Sequence, residues 1–365
     1  MSADTSQGAG ASRPGGALWI AAATAALLAL GFRRRPDRLD AAARAERRDA
    51  ASRGRYASTP SAIPARGWKD ILWRVYERLT EDRILSIAAG VTFYILLAIF
   101  PAIAALVAIY GLFADPATIA KHVEDVASFV PGGGVDILRD ELNRVAAQPR
   151  GTLGLAFVVG LGISLWSANA GVKAIIDALN IAYAEREKRS FIKLTAVSFV
   201  FTLAGIAGAI VALGVVVVLP LVLQFIGLQS ATETIVAVAK WPVLFVGAAF
   251  AIAVLYRYGP SRAQAKWRWV SWGSALAAAA WIGLSLLFSW YATNFGSYNK
   301  TYGSLGAVVG FMTWIWISTI VLLIGAELDA EIEHQTCRDS TVGPPKPMGT
   351  RGATMADTIG HRADE

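Results

Sequence analysis

The chain has 365 residues, 55% of them hydrophobic and only 17% charged, with a mean hydropathy of +0.47. That composition excludes an ordinary soluble domain. The net charge of +7 is concentrated, because residues 33–83 alone hold 14 Lys/Arg against 8 Asp/Glu. One cysteine, Cys337, rules out a disulfide framework and a thiolate metal cluster.

Residues 1–15 are small and polar, and 16–32 form an Ala/Leu-rich apolar run closed by Arg33-Arg34-Arg35-Pro36. The charge follows the run, whereas a secretory signal would carry it in front, so 1–32 is expected to hold an extra membrane helix. Residues 33–67 read as a basic cytoplasmic linker, partly helical around 41–53, with Pro60 and Pro64. From 68 to 82 an amphipathic helix is expected, with Ile71, Leu72, Val75 and Leu79 on one face and Trp68 and Trp73 suited to a membrane surface. The basic segment reads as the flank that orients the first core helix, with anionic headgroups as its partner. No nucleic-acid partner is expected, and a homo-oligomer is left open.

The core follows as charge-free runs at 84–114, 151–172, 194–232, 241–256, 269–299 and 301–326. Most can cross ~30 Å of hydrocarbon, which takes about 20 helical residues. The bilayer core offers no water to backbone N–H and C=O groups, so the runs must be helices. The expected class is therefore an all-α polytopic membrane bundle, with six core helices over 68–333 and a seventh near the N-terminus.

Loop charges orient it. The loop 184–193 carries Arg186, Lys188, Arg189 and Lys193, and 257–268 carries Arg257, Arg262, Lys266 and Arg268. The gaps 224–240 and 292–302 carry one lysine each, and 114–150 has four basic and six acidic residues. The positive-inside rule places 33–83, both basic loops and the tail together in the cytoplasm, as for a protein of the inner membrane. The gap 114–150 is expected to form two short amphipathic helices broken at Pro131-Gly132-Gly133-Gly134, on the other side. Residues 334–365, with Gly343-Pro344-Pro345 and no apolar period, read as a disordered cytoplasmic tail.

Chemistry is sparse. His122, His334 and His361 are isolated from other ligands, no span holds paired carboxylates, and no nucleophile elbow, Walker-type loop or Cys-x-x-Cys occurs. No catalytic residue, metal or cofactor is expected, and the chain does not read as an enzyme. Small residues at four-residue spacing (Gly160/Ser164/Ala168, Ala204/Gly208/Ala212 and Gly306/Gly310) offer close helix packing. The polar groups in or beside the spans are the candidate substrate-pathway residues: Asn169, Lys173, Asp177, Arg257, Tyr298, Asn299, Tyr302 and Glu327. Lys173 and Asp177 stand at i, i+4 and are placed to compensate each other. Glu327 ends 26 charge-free residues. A lone carboxylate there is costly, so it is expected to face the bundle within reach of Lys173, Arg257 or Asn169.

At these residues the sequence resembles a family. Ala88-Ala89-Gly90-Val91-Thr92-Phe93-Tyr94 with Pro101 is similar to the first-helix motif of the YihY/BrkB membrane proteins. Trp166-Ser167-Ala168-Asn169 with Asp177-Ala178-Leu179-Asn180 and Tyr183 resembles the second, and Tyr256-Arg257-Tyr258-Gly259-Pro260 a third. Tyr298-Asn299, Tyr302-Gly303-Ser304 and Gly325-Ala326-Glu327-Leu328 resemble the C-terminal signature. The resemblance implies a six-helix inner-membrane protein without a settled activity, a virulence-factor association, and an old ribonuclease label that these residues do not support. The expected function is transport or export of a small solute or lipid. The alternative is a non-transporting envelope scaffold, and the third reading is the ribonuclease.

Overall fold

The computed structural model describes residues 40–110, 155–225, 231–295 and 304–364. The expected N-terminal membrane helix, the hairpin at 114–150, His122, and Tyr298, Asn299 and Tyr302 lie outside them. The chain divides into two compact units, Met1–Arg53 and Gly54–Glu365. In the first, a helix over 40–52 (α1) occupies the stretch expected to be helical. Arg53 Nε closes on Asp49 Oδ2 at 3.3 Å one turn back.

In the second unit, a short 3₁₀ turn at Pro60–Ala62 leads into α2 (Ala65–Glu81), α3 (Ile84–Tyr110), α4 (Leu155–Ala182), α5 (Phe191–Phe225), α6 (Ala231–Tyr258), α7 (Trp267–Phe295), α8 (Ser304–His334) and the short α9 (Thr354–Asp357). The described residues contain no strand beyond one antiparallel bridge, Ala265 with Thr341. Five helices are long and apolar enough to cross a membrane: Val159–Ala182, Phe191–Ala212, Trp241–Tyr258, Trp267–Tyr291 and Val308–His334. A sixth is counted when α2 and α3, bent by 61° at the break after Glu81, are taken as one span. The all-α polytopic class is thus what the fold shows.

The six long helices follow one another around a ring. α3 packs most extensively on α4, α4 on α5, α6 on α7, α7 on α8, and α8 returns to α3. The seam between α5 and α6 is the thinnest of the six. Where backbones approach closely, glycine decides it. A Cβ on Gly273 of α7 would collide with the Gly325 carbonyl and Asp329 of α8. One on Gly325 would meet the Tyr256 hydroxyl at 2.6 Å. Tyr256 itself donates to the Leu322 carbonyl at 2.5 Å, tying α6 to α8. The expected small-residue stripes are used differently: Gly160, Gly208 and Gly310 face open space.

α2 keeps most of the expected apolar face but buries polar residues with it. Ile71 and Val75 are buried, as periodicity suggests, but Asp70 and Arg74 are buried beside them, while Leu72, Trp73 and Tyr76 face outward. Arg74 is tolerated on the inner side because α8 supplies Glu331 and Gln335 as its partners.

The tail is not disordered. Asp357 accepts the backbone N–H groups of Gly349, Arg351 and Gly352 at 2.8–2.9 Å. Arg351 donates to the carbonyls of Cys337 and Ala356 at 2.7 and 2.5 Å. Met355 and Ala356 are buried. Hydrogen bonds, not an apolar period, order this segment, which is why its composition reads as disorder. Residues 54–67, assigned to the linker, also join the compact unit: the Cys337 N–H donates to the Arg55 carbonyl at 2.8 Å, and Ala57 and Ile63 are buried.

Candidate functional site

The last two turns of α8 read Glu327, Asp329, Glu331, Glu333, and all four are fully buried. At about 100° per residue, residues two apart fall on opposite faces and residues four apart share one. Glu327 and Glu331 therefore face α2, and Asp329 and Glu333 face α7 and its preceding loop.

On the first face, Arg74 Nε donates to Glu331 Oε2 at 2.5 Å, and its Nη2 reaches Gln335 Oε1 at 2.8 Å. Its Nη1 donates to the His361 carbonyl at 2.8 Å. His334 Nδ1 approaches Glu331 at 3.2 Å, and Arg78 stands 3.7 Å from its other oxygen. On the second face, Arg262 Nη2 contacts both Glu333 oxygens at 2.7 Å, and Ser340 Oγ donates to one of them at 2.7 Å. The Gly273 N–H donates to Asp329 Oδ1 at 2.7 Å. Buried charges persist only when paired and hydrogen-bonded. Glu331 and Glu333 are, whereas Asp329 has the Gly273 N–H on one oxygen and no hydrogen-bond partner on the other among the described residues.

Glu327 turns into the protein, as expected, but its partners differ. Neither carboxylate oxygen has a hydrogen-bond partner among the described residues. Its charged neighbours are Asp82, Glu331 and Arg78. The expected partners are engaged elsewhere. Lys173 Nζ donates to Thr195 Oγ1 at 3.0 Å and lies over the Trp166 and Phe191 rings at 5.5 and 5.0 Å. Arg257 stacks on Trp267 at 4.4 Å and Tyr258 at 5.3 Å. Asn169 Oδ1 accepts from Thr202 Oγ1 at 3.3 Å. Asp177 is exposed, and the expected Lys173–Asp177 pair is not formed among the described residues. Shared depth in the membrane does not imply a shared side of a helix ring, and that separates Glu327 from the other candidates.

The sequence falls into the family described as Virulence factor BrkB over residues 75–348. The chain belongs to that family. Its relatives include the ribonuclease-like protein YfkH of Bacillus subtilis (strain 168), 28% identical over 267 residues, covering 71% of this chain and 94% of that protein. The UPF0761 membrane protein NTHI0384 of Haemophilus influenzae is 20% identical over 261 residues, covering 71% and 93%. A UPF0761 membrane protein of Vibrio atlanticus is 28% identical over 264 residues, covering 71% and 80%. No solved structure matches the chain.

The second and third of the resembling blocks meet at the end of the ring that carries the basic loops. Asn180, in the second motif, bridges that motif to the third: its Oδ1 accepts the Ser261 N–H at 2.7 Å and its Nδ2 donates to Glu187 at 3.0 Å. Arg189 clasps Glu187 at 2.8 Å and donates to the Gly259 carbonyl at 2.8 Å. The Arg189 hydrogen bond, against a smaller opposing effect of burial, holds the Glu187 carboxyl down at about 2. Thr354 of the tail donates to Glu185 Oε1 at 2.6 Å, and the Ala263 N–H to the Gly352 carbonyl at 2.9 Å. The α2 region, both basic loops and the tail thus lie together, as the loop charges imply.

Sequence reading missed Arg74, Asn180, Arg262, Asp329, Glu331 and Glu333 as organising residues. The alternating acids after residue 326 were the available signal, because four carboxylates at every second position of an apolar helix end demand cations on two sides.

Proposed function

We propose that this BrkB-family protein moves a small solute or lipid across the cytoplasmic membrane, with its basic end in the cytoplasm. The observation that carries the reading is the Asn169–Thr202 contact at 3.3 Å. Asn169 lies near the middle of the span Val159–Ala182 and Thr202 near the middle of Phe191–Ala212. Asn169 is 1% and Thr202 6% exposed, so the two form a buried polar pair between neighbouring spans. Polar groups buried at mid-membrane are costly and are worth keeping where a polar group passes. Ser198, fully buried one turn from Thr202, continues the polar strip along α5.

The scaffold reading is supported by the open small-residue faces at Gly160, Gly208 and Gly310, which suit packing against another membrane helix. The ribonuclease reading draws on a relative's name alone. Three of the four α8 acids, Glu331, Glu333 and Asp329, hydrogen-bond to Arg74, Arg262 and the Gly273 N–H.

The test is a deletion strain profiled for lipids and small metabolites and complemented with wild type or Asn169→Leu. Transport predicts that a solute or lipid accumulates and that only the wild type clears it. Equal complementation by both would remove Asn169 from the route, and an unchanged profile would favour the scaffold.

A further inference from the structure

Arg257 stands in the last turn of α6 and is 9% exposed as a residue. Its Nε and Nη1 are sheltered from solvent, and neither has a hydrogen-bond partner. Four neighbouring cations of the two basic loops are engaged, Arg262 by Glu333, Lys188 by Glu185, Arg189 by Glu187 and Lys266 by the Asp339 carbonyl, while Arg186, Lys193 and Arg268 are exposed to solvent. Arg257 instead has only aromatic faces, Trp267 at 4.4 Å and Tyr258 at 5.3 Å. A ring quadrupole attracts the cation without using its in-plane N–H groups, so the donors stay available.

The aromatic wall is turned outward. Trp267, Tyr258 and Phe250 are 44%, 37% and 63% exposed, and Phe250 stacks on Trp267 with centroids 6.0 Å apart. Exposed aromatics at a span end are what a membrane–water interface selects. A guanidinium with free donors behind such a wall sits where lipid headgroups lie, and its fork matches phosphate oxygens.

We propose that Arg257, walled by Trp267 and Tyr258, binds the phosphate of a membrane phospholipid at the basic end of the ring. The acyl chains would lie along the exposed face of Phe250, beside the Trp267 ring of α7. The site stands whether or not the chain transports anything, because it needs only a phospholipid beside the protein.

The experiment titrates the full-length protein, in uncharged detergent, with short-chain phosphatidylglycerol, diacylglycerol of the same chain length, or inorganic phosphate. The readout is the fluorescence change that Trp267→Phe removes. Phosphatidylglycerol is expected to bind at least about tenfold more tightly than diacylglycerol, as expected when hydrogen bonds to a charged group are lost. Arg257→Gln is expected to lose that advantage, and Arg268→Gln, altering an exposed neighbour, to keep it. Equal binding of phosphatidylglycerol and diacylglycerol by the wild type would overturn the site, a comparison that does not depend on any variant folding. So would Arg257→Gln binding as tightly as wild type. Inorganic phosphate binding as tightly as the lipid would overturn the lipid assignment and leave a free-phosphate site.

Discussion

Arg74 and Glu331 stand 257 positions apart and form a 2.5 Å charged hydrogen bond, with side chains 2% and 1% exposed. The bond joins the helix that precedes the first core span to the end of the last one, so it ties α2 to the ring. The Gly360 N–H donates to the His334 carbonyl at 2.9 Å, which lays the tail over the same pair.

Removing one partner of a buried ion pair leaves the other charge unpaired. Arg74→Gln is therefore expected to destabilise by about 3 kcal/mol or more. Glu331→Gln is expected to cost more stability than Glu327→Gln, since the Glu327 oxygens lose no hydrogen bond. Thermal unfolding of the purified variants in detergent checks both, and an additive Arg74/Glu331 double variant would show that the two residues act separately.

The helices were legible because charge-free runs of this length have one solution in a bilayer. The shared side of the basic loops was legible too, since loop charge reports sidedness directly. What could not be read was azimuth. Nothing in sequence spacing told that Lys173 turns toward Thr195 and Trp166, or that Arg257 turns toward Trp267, so Glu327 was given the wrong partners. The tail was missed for a different reason: Asp357 and Arg351 order it through backbone groups that have no sequence signature.

Glycine tolerance should separate packed from open faces. Gly273→Ala is expected to lower the unfolding midpoint sharply, because its Cβ meets the Gly325 backbone, which cannot move aside. Gly160→Ala and Gly310→Ala, facing open space in this chain, are expected to leave the midpoint unchanged. Comparable losses at all three would mean that the open faces are covered by another helix.

Truncation after Cys337 tests the ordered tail. It removes the bonds from Arg74 to His361, from Thr354 to Glu185 and from Ala263 to Gly352. At about 1 kcal/mol per bond, the truncated protein is expected to unfold at a clearly lower temperature and to be cut faster by protease at 184–190. Unchanged stability and protection would mean that the tail contributes nothing to the fold.

The Glu187 clamp predicts an acid sensitivity. Its carboxyl titrates at about 2 rather than at its ordinary 4.5, with the Arg189 hydrogen bond as the main cause. A lowered folded-state value means that the stabilisation is complete above about 4.5 and disappears as pH falls toward 2. Hydrogen exchange at 185–190 is expected to quicken across that window in the wild type and to show no such step in Glu187→Gln. An identical step in the variant would assign it to another carboxylate.

The most direct test of a polar route through the ring is chemical access to its middle. In a Cys337→Ala background, a single cysteine at Thr202 is exposed in intact membranes to a permanently charged thiol reagent, with a cysteine at Lys188 as the accessible reference. A transport route predicts complete modification at 202, slower than at 188, and slowed further when Asn169 is replaced by leucine. No modification at 202 over a time that saturates 188, in a protein that reacts once denatured, would contradict the route and leave a packed membrane scaffold.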